Sequence, residues 1–458
     1  MSKKLKTITD FLILTIVFLL PFQTRYIWRT GTLNDGPWEY GTISLYAIDL
    51  LLLTALLLAL IVDFFRGQGG FKHKQYWLAI IGLLFFANLS IFACFSFAVA
   101  PDKYLVLYGV GRLALGAGLF WLIYSSKLSL KKILITLLLA ASLQAVFGLW
   151  QFLNQGTPAN KWLGLAAHAP TELGAAVVET ISPGGASERW LRAYGSLDHP
   201  NIFGGYLALA LLVAVLMLIK EVSGTGQRKR ELLLSFTIII LTAGLFVSFS
   251  RAAWLTLAGG LVIILLTNFK LWPRLLLTLA IMALTVAPFA KNYGHLYWQR
   301  WAALDDISSV NSRLEVKSIA ERTQYIAQAK TLIANHYLVG VGLGNFGLAV
   351  AQEVTPKQLS YYYQPVHNVW LLVASEIGVF GLLFLITLLI LLIGNGRRLK
   401  EFNFVWPLAA GLLILMTFDH WLWSLHFGVL FFWLALGLML KNIEEIKDNP
   451  PLDNLPIM

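Results

Sequence analysis

The sequence holds one cysteine, Cys94, in 458 residues. A lone thiol excludes an intramolecular disulfide and any cysteine-based metal cluster, and the apolar run around Cys94 makes it a packing residue. Charge is also scarce, with Asp, Glu, Lys and Arg together at 13% of the chain. No phosphate-binding loop of the Walker type occurs, and no repeat of solenoid period. The only low-complexity stretch is the polar end DNPPLDNLPIM, which has too little apolar surface to order itself.

What is plentiful is apolar side chain, at 58% of residues with a mean hydropathy of +0.70. It is gathered in runs near the twenty-odd residues that cross about 30 Å of hydrocarbon. Twelve spans are predicted, at 8–21, 42–64, 76–95, 104–124, 130–153, 199–219, 232–250, 252–269, 272–290, 367–393, 403–418 and 422–440. The fold class expected is therefore an all-α polytopic membrane protein with a large extracytoplasmic helical loop. Lys3, Lys4 and Lys6 precede the first run as in a signal peptide, but FLLPFQTRYIW offers no small-residue cleavage site, so a retained first helix is expected.

Positive residues are retained on the cytoplasmic side of a membrane, which makes Lys and Arg a test of orientation. With the N-terminus inside, 20 of them fall in short inner segments, among them Lys127, Lys220, Arg274 and Lys441. Of the 14 on the outer side, 7 belong to one long loop where the rule has little force, and Arg112 lies inside a span. Both termini are expected in the cytoplasm. The net charge of +11 then reflects this retention signal, and no nucleic-acid partner is implied.

The expected organisation is helices one to nine over 1–290 with an outer loop at 154–198, an extracytoplasmic loop domain at 291–366, the last three helices over 367–440, and a cytoplasmic tail at 441–458. Both outer loops exceed ordinary connections, and long ordered loops on a rigid scaffold are where sites are built. Within the second, 313–335 reads as a helix on which Ile319, Arg322, Ile326, Ala329 and Ile333 share one stripe.

An arginine on such a stripe needs an anion, because an unpaired buried charge costs several kcal/mol. Asp198, Glu315 or Glu353 could supply it, or the stem could snorkel to water. Arg251 ends the seventh span and is read either as an interfacial anchor or as a site residue. His367 and Asn368 open the tenth span, where a helix cap is the alternative to a functional role. Two guanidiniums and an imidazole on one face of a membrane protein suit a diphosphate leaving group and a hydroxyl nucleophile, with no metal and no cofactor.

Lower-ranked candidates for substrate contact are Asp198, His199 and Asn201 at the entrance of the sixth span, where HPN also suits a helix start, and Arg189 and Arg192 just upstream. Arg112 and Glu376 lie within spans, where ionisable side chains are expensive and default to functional hypotheses, and Asp49 belongs with them. Tyr361, Tyr362 and Tyr363, before His367, could stack on sugar faces.

Five segments together resemble the O-antigen ligase and polymerase superfamily of membrane glycosyltransferases, most closely the O-antigen ligases. They are QAVFGLWQF at 144–152, GSLDHPNIFGGYLAL at 195–209, FVSFSRAAWLTLAGG at 246–260, ERTQYIAQAKTLIANHYLVGVGLGNF at 321–346 and HNVWLLVASEIGVFGLL at 367–383. Tyr337-Leu338 departs from the His-Pro or Tyr-Pro that often precedes the GVG turn. The resemblance implies transfer of a glycan from undecaprenyl diphosphate to an acceptor hydroxyl, of the lipid A-core type, at the outer face of the inner membrane. By the same resemblance His367 matches the family's essential histidine, and Arg251 and Arg322 its two functional arginines. A polysaccharide polymerase or a protein O-oligosaccharyltransferase would share these motifs, with glycan or protein hydroxyls as acceptors. From another class, a secondary transporter remains open, although the unequal loops and the lack of a visible internal repeat argue against it.

Overall fold

The computed structural model describes residues 2–66, 91, 94–181, 187–220, 226–302, 313–396 and 404–448. The protein is an all-α polytopic membrane protein. Its long helices are α1 (Ser2–Leu19), α2 (Ala47–Arg66), α3 (Lys103–Ser125), α4 (Leu130–Asn154), α5 (Pro200–Ile219), α6 (Gln227–Ser248), α7 (Arg251–Thr267), α8 (Trp272–Ala302), α9 (Arg313–Asn335), α11 (Val369–Gly396), α12 (Val405–Phe418) and α14 (His426–Asp448). Short helices α10 (Phe346–Ala349) and α13 (Trp421–Ser424) lie between them. Among the described residues, seven helices are long and apolar enough to cross a membrane, and the apolar stretches Ala47–Val62, Arg251–Thr267 and Val405–Phe418 are shorter. The predicted third span lies outside the described residues except at its end, where Cys94 is exposed rather than packed.

Helix α5 is apolar on every face and is enclosed by α6, α7, α4 and α12, as expected of a helix at the centre of a bundle. The starts of α5, α7, α11 and α14 and the ends of α6, α8 and α12 share one end of the bundle. At the other end, Lys441 donates to the Ser126 carbonyl at 2.7 Å and Arg274 to that of Ile219 at 3.1 Å.

Three small antiparallel ladders add β-structure that the apolar pattern did not reveal: β1 (Arg25–Arg29) with β4 (Ile43–Tyr46), β2 (Thr32–Leu33) with β3 (Gly36–Pro37), and β5 (Val177–Ile181) with β6 (Ser187–Leu191). All lie in connections, where backbone groups outside a helix still need partners. Helix α8 runs to Ala302, well past its expected end at 290, through Pro288. Polar residues from Lys291 onward suggested a loop, yet Tyr293, Leu296, Tyr297 and Arg300 recur at steps of three and four. The Tyr297 hydroxyl donates to the Phe246 carbonyl at 2.6 Å and receives the Trp254 indole N–H at 3.0 Å, locking this extension in place.

Helix α9 has the predicted limits, but its buried side is set by Tyr325, Gln328, Ala329 and Leu332. Ile326 is exposed, and the Gln328 amide donates to Thr355 Oγ1 at 3.2 Å. Arg322 sits one turn before Tyr325 and Ala329's row, half-buried.

Helix α11 is broken at Gly378, whose φ of 75° and ψ of 179° are not helical. The glycine-rich return after α9 docks into the break: Val341 N–H reaches the Ser375 carbonyl at 2.8 Å, Gly342 N–H the Glu376 carbonyl at 2.9 Å, and Val379 N–H the Tyr337 carbonyl at 2.8 Å. A loop thus supplies the hydrogen bonds that the helix lost, which anchors the stretch before His367. A Cβ at Gly378 would overlap the Leu338 carbonyl in a backbone region essentially closed to other residues. Gly378→Ala is expected to cost at least about 2 kcal/mol, visible as a lowered thermal unfolding midpoint in detergent, whereas Gly394→Ala, which has open space around it, should leave the midpoint unchanged.

Candidate active site

A cavity of about 430 Å³ opens at the end of the bundle where α5 and α11 begin and α12 ends, lined by Trp38, Tyr40, Asp198, His199, His367, Asp419 and His420, together with Tyr361, Tyr363 and Gln364. The His367 imidazole is a fifth exposed, with Nδ1 3.4 Å from Asp419 Oδ1. That spacing suits an ion pair, but the ring nitrogen makes no directed hydrogen bond. His420 packs against His367 with ring centres 4.8 Å apart and directs Nδ1 to Ser424 Oγ at 2.6 Å.

Asp419 is buried and follows the last residue of α12. Its Oδ1 accepts the His420 backbone N–H at 2.8 Å and its Oδ2 the Asn201 side-chain amide at 3.3 Å. Burial alone would raise this carboxyl, but His367, His420 and His199 around it hold it well below the usual range. Asn201 Oδ1 in turn accepts from the Arg192 guanidinium at 2.8 Å, and Arg192 Nε donates to the Ser248 carbonyl at 2.9 Å. Burial, then the neighbouring Arg300, disfavours the charge of Arg192, yet a guanidinium stays protonated in proteins. Arg192 and Asn201, expected as substrate contacts, are spent on this chain of hydrogen bonds toward Asp419.

His199 caps α5, its Nδ1 accepting the Asn201 N–H at 3.1 Å ahead of Pro200 at the first helical position. Burial, then Arg192, lowers its pKa to about 3. His420 is also lowered to about 3, by burial and then by His367. Asp198 presents its carboxylate to the cavity, where the surrounding protein desolvates it and raises its pKa.

The arginines gather beside this cavity, outside its lining. Arg251 starts α7, after a short turn in which Phe249 takes a left-handed φ of 50° and Ser250 Oγ caps the helix. It donates to Glu315 Oε2 at 2.8 Å and to the Arg300 carbonyl at 2.9 Å. Glu315, one of the partners foreseen for Arg322, therefore serves Arg251 instead, and Glu353 pairs with His336 at 2.8 Å. Arg322 makes no hydrogen bond or ion pair with a described residue, and it lies within electrostatic reach of His199, His420 and Arg300.

Other predicted site residues have structural partners. Arg189 faces Glu179 across β5–β6 at 3.8 Å. Asn368 caps α11 through the Leu371 N–H at 2.9 Å and donates to the Thr417 carbonyl at 3.0 Å. Arg112 lies over the Tyr108 ring and donates to the Ser424 carbonyl at 2.7 Å, and Glu376 accepts the Trp423 indole N–H at 2.8 Å. Asp49 holds His426 at 2.7 Å. Tyr363 is buried with its hydroxyl on the Thr355 carbonyl, while Tyr361 is exposed and lines the cavity.

Asp419, His420 and Arg300 escaped the sequence reading. The signal for the first two was an acid and a histidine together in FDHWLW, between two apolar runs on the side already assigned to His367. Ligand atoms of His367, Asp419 and His420 lie within 4.8 Å of one another, a set of two imidazoles and a carboxylate that could accept a divalent ion.

The fold and this cavity define a polytopic membrane protein with a buried, ionisable site at one end of its bundle. Residues 236–386, about a third of the chain, match the family model described as O-Antigen ligase, so this segment is similar to that family. The matched segment contains Arg251, Arg322 and His367 and stops short of Asp419. No curated protein matches the chain.

His199 and His420 bind protons near pH 6.5 when unfolded and only near pH 3 when folded. Between those values the unfolded chain holds more protons, so stability is complete above about pH 6.5 and declines as the pH falls. The thermal midpoint of the purified protein should drop from pH 7.5 to pH 5, and His420→Gln should make that drop shallower. A midpoint independent of pH over this interval would contradict the lowered pKa of these two histidines.

Proposed function

We propose that the protein transfers a preassembled glycan from an undecaprenyl diphosphate carrier to an acceptor hydroxyl of the lipid A-core type, at the outer face of the inner membrane. The observation that carries this reading is the His367 ring at a roomy cavity with the Asp419 carboxylate behind its Nδ1. An imidazole so placed keeps Nε2 for the acceptor and can gain a proton while the carboxylate offsets the charge. His199 and His420 are poor bases at neutral pH, being held near 3, and His199 spends its Nδ1 on a helix cap. That leaves His367 as the base.

In the proposed step the acceptor oxygen bonds to the anomeric carbon as its proton passes to His367 Nε2. The bond from that carbon to the diphosphate breaks, and its electron pair leaves with the diphosphate. One displacement inverts the anomeric configuration. Arg251 and Arg322 meet the growing charge on the leaving group, each charge-assisted contact contributing roughly 1.5 to 3 kcal/mol. Trp38, Tyr40 and Tyr361 at the cavity suit sugar faces. The Lys and Arg distribution supports cytoplasmic termini and an extracytoplasmic cavity, where lipid-linked donors rather than nucleotide sugars are presented.

Purified protein in nanodiscs, given an undecaprenyl diphosphate glycan and a panel of lipid A-core, glycan and peptide acceptors with EDTA present, tests both class and acceptor. Transfer should proceed, and His367→Ala should lower kcat by at least about 100-fold. Asp419→Asn should lower it less while leaving the donor KM near wild type. Full activity of His367→Ala would remove the histidine from the mechanism. Elongation of lipid-linked glycan by donor alone would mark a polymerase.

A further inference from the structure

Beside the His367 cavity, four guanidiniums crowd around few acids among the described residues. Among the described residues the hydrogen-bond partners of Arg192 are neutral, the Ser248 carbonyl and the Asn201 amide oxygen, with Glu315 within electrostatic reach. Arg322 is paired with no described residue, as noted above. Arg251 and Arg300 share one carboxylate, Glu315, whose Oε2 meets Arg251 Nη2 at 2.8 Å and whose Oε1 lies 3.0 Å from Arg300 Nε.

Arg300 is the unusual member. It is 92% buried, with 8% of its surface accessible, and its Nη1 has no hydrogen-bond partner among the described residues. Even its Nε contact with Glu315 is short in distance but not aligned as a hydrogen bond. A buried guanidinium with unused donors is costly, and a structural ion pair would have evolved to satisfy them. Glu315 lies in the first turn of α9, immediately after residues outside the described set, and Arg300 in the last turn of α8. The carboxylate therefore reaches the arginines from a different helix, and one carboxylate cannot fill both forks.

We propose that Arg300 is a third phosphate-binding arginine acting with Arg251, and that Glu315 is a placeholder whose carboxylate occupies the phosphate position until a diphosphate displaces it. A phosphate offers three or four oxygens in place of two and carries more charge, so it can use the donors Glu315 leaves unfilled. Exchange of one anion for another keeps the guanidiniums neutralised throughout, and the released Glu315 moves toward water at the start of α9. This rests on the transferase reading for its donor, but its test concerns anion binding and does not require transfer.

Binding of inorganic pyrophosphate to the purified full chain is measured by calorimetry. Arg300→Gln should weaken it by about tenfold or more. Glu315→Gln should tighten it severalfold, because the competing carboxylate is gone while side-chain volume is kept. A structural role for Glu315 would give the opposite, so unchanged or weaker binding in Glu315→Gln overturns the proposal even if Arg300→Gln fails to fold. Unchanged binding in a folded Arg300→Gln overturns it as well. Farnesyl diphosphate should displace pyrophosphate, whereas phosphatidylglycerol in the nanodisc should not; displacement by both alike would assign the site to lipid headgroups and overturn it. With donor, Glu315→Gln should lower KM more than it changes kcat. Loss of transfer in His367→Ala with pyrophosphate binding intact leaves this proposal standing, which separates the two.

Discussion

The organisation of this protein turns on one buried carboxylate, Asp419. Unpaired, such a charge would cost several kcal/mol, and its satisfaction draws separate elements together. Asn201 comes from the first turn of α5, the His420 N–H from the turn after α12, and the His367 ring from the residue pair opening α11. Closing the bundle at this end and aligning the imidazole are therefore one requirement. Three histidines line the cavity around Asp419, and desolvation by the surrounding protein lowers the pKa of His199 and His420 to about 3 against the pull of that carboxylate.

A second set of charges is arranged in opposition to the first. Asn201 passes the Asp419 network to Arg192, and Arg192 ties it to the Ser248 carbonyl, two residues before the cap of α7. That turn places Arg251, whose partners Glu315 and the Arg300 carbonyl come from α9 and the extension of α8. A carboxylate beside the His367 imidazole and guanidiniums beyond it separate opposite charges across this end of the bundle, the polarity that the proposed transfer would use. The sequence segments that carry the resemblance are linked physically by these contacts, and the glycine-rich return belongs with them because it mends the break in α11 behind His367.

Much of this was legible in the chain. Apolar runs of membrane-crossing length located the helices, and the departures have identifiable causes. Tyr293, Leu296 and Tyr297 kept α8 helical where polar neighbours suggested a loop, and Tyr325 and Leu332 claimed the buried side of α9 in place of Ile326. The motifs drew attention to His367, Arg251 and Arg322, but not to what each would touch. Asp419 and His420 were hidden in FDHWLW because a two-residue interruption of an apolar run carries no period. Arg300 was hidden because it falls in the polar stretch after Lys291, where only the row of Tyr293, Leu296 and Tyr297 one and two turns earlier marks its side of the helix as packed.

The sequence by itself determined that the chain is a helical membrane protein and where most of its long helices run, because hydropathy and the alternation of spans are local, additive properties. Only the tertiary structure decided that Arg192 and Asn201 turn toward Asp419, that Glu315 takes Arg251 and Arg300 rather than Arg322, and that Gly378 breaks α11 to receive a distant loop. Those outcomes depend on which of several possible partners is within hydrogen-bond reach, a matter of a few ångströms between segments far apart in the chain, and no local pattern encodes it.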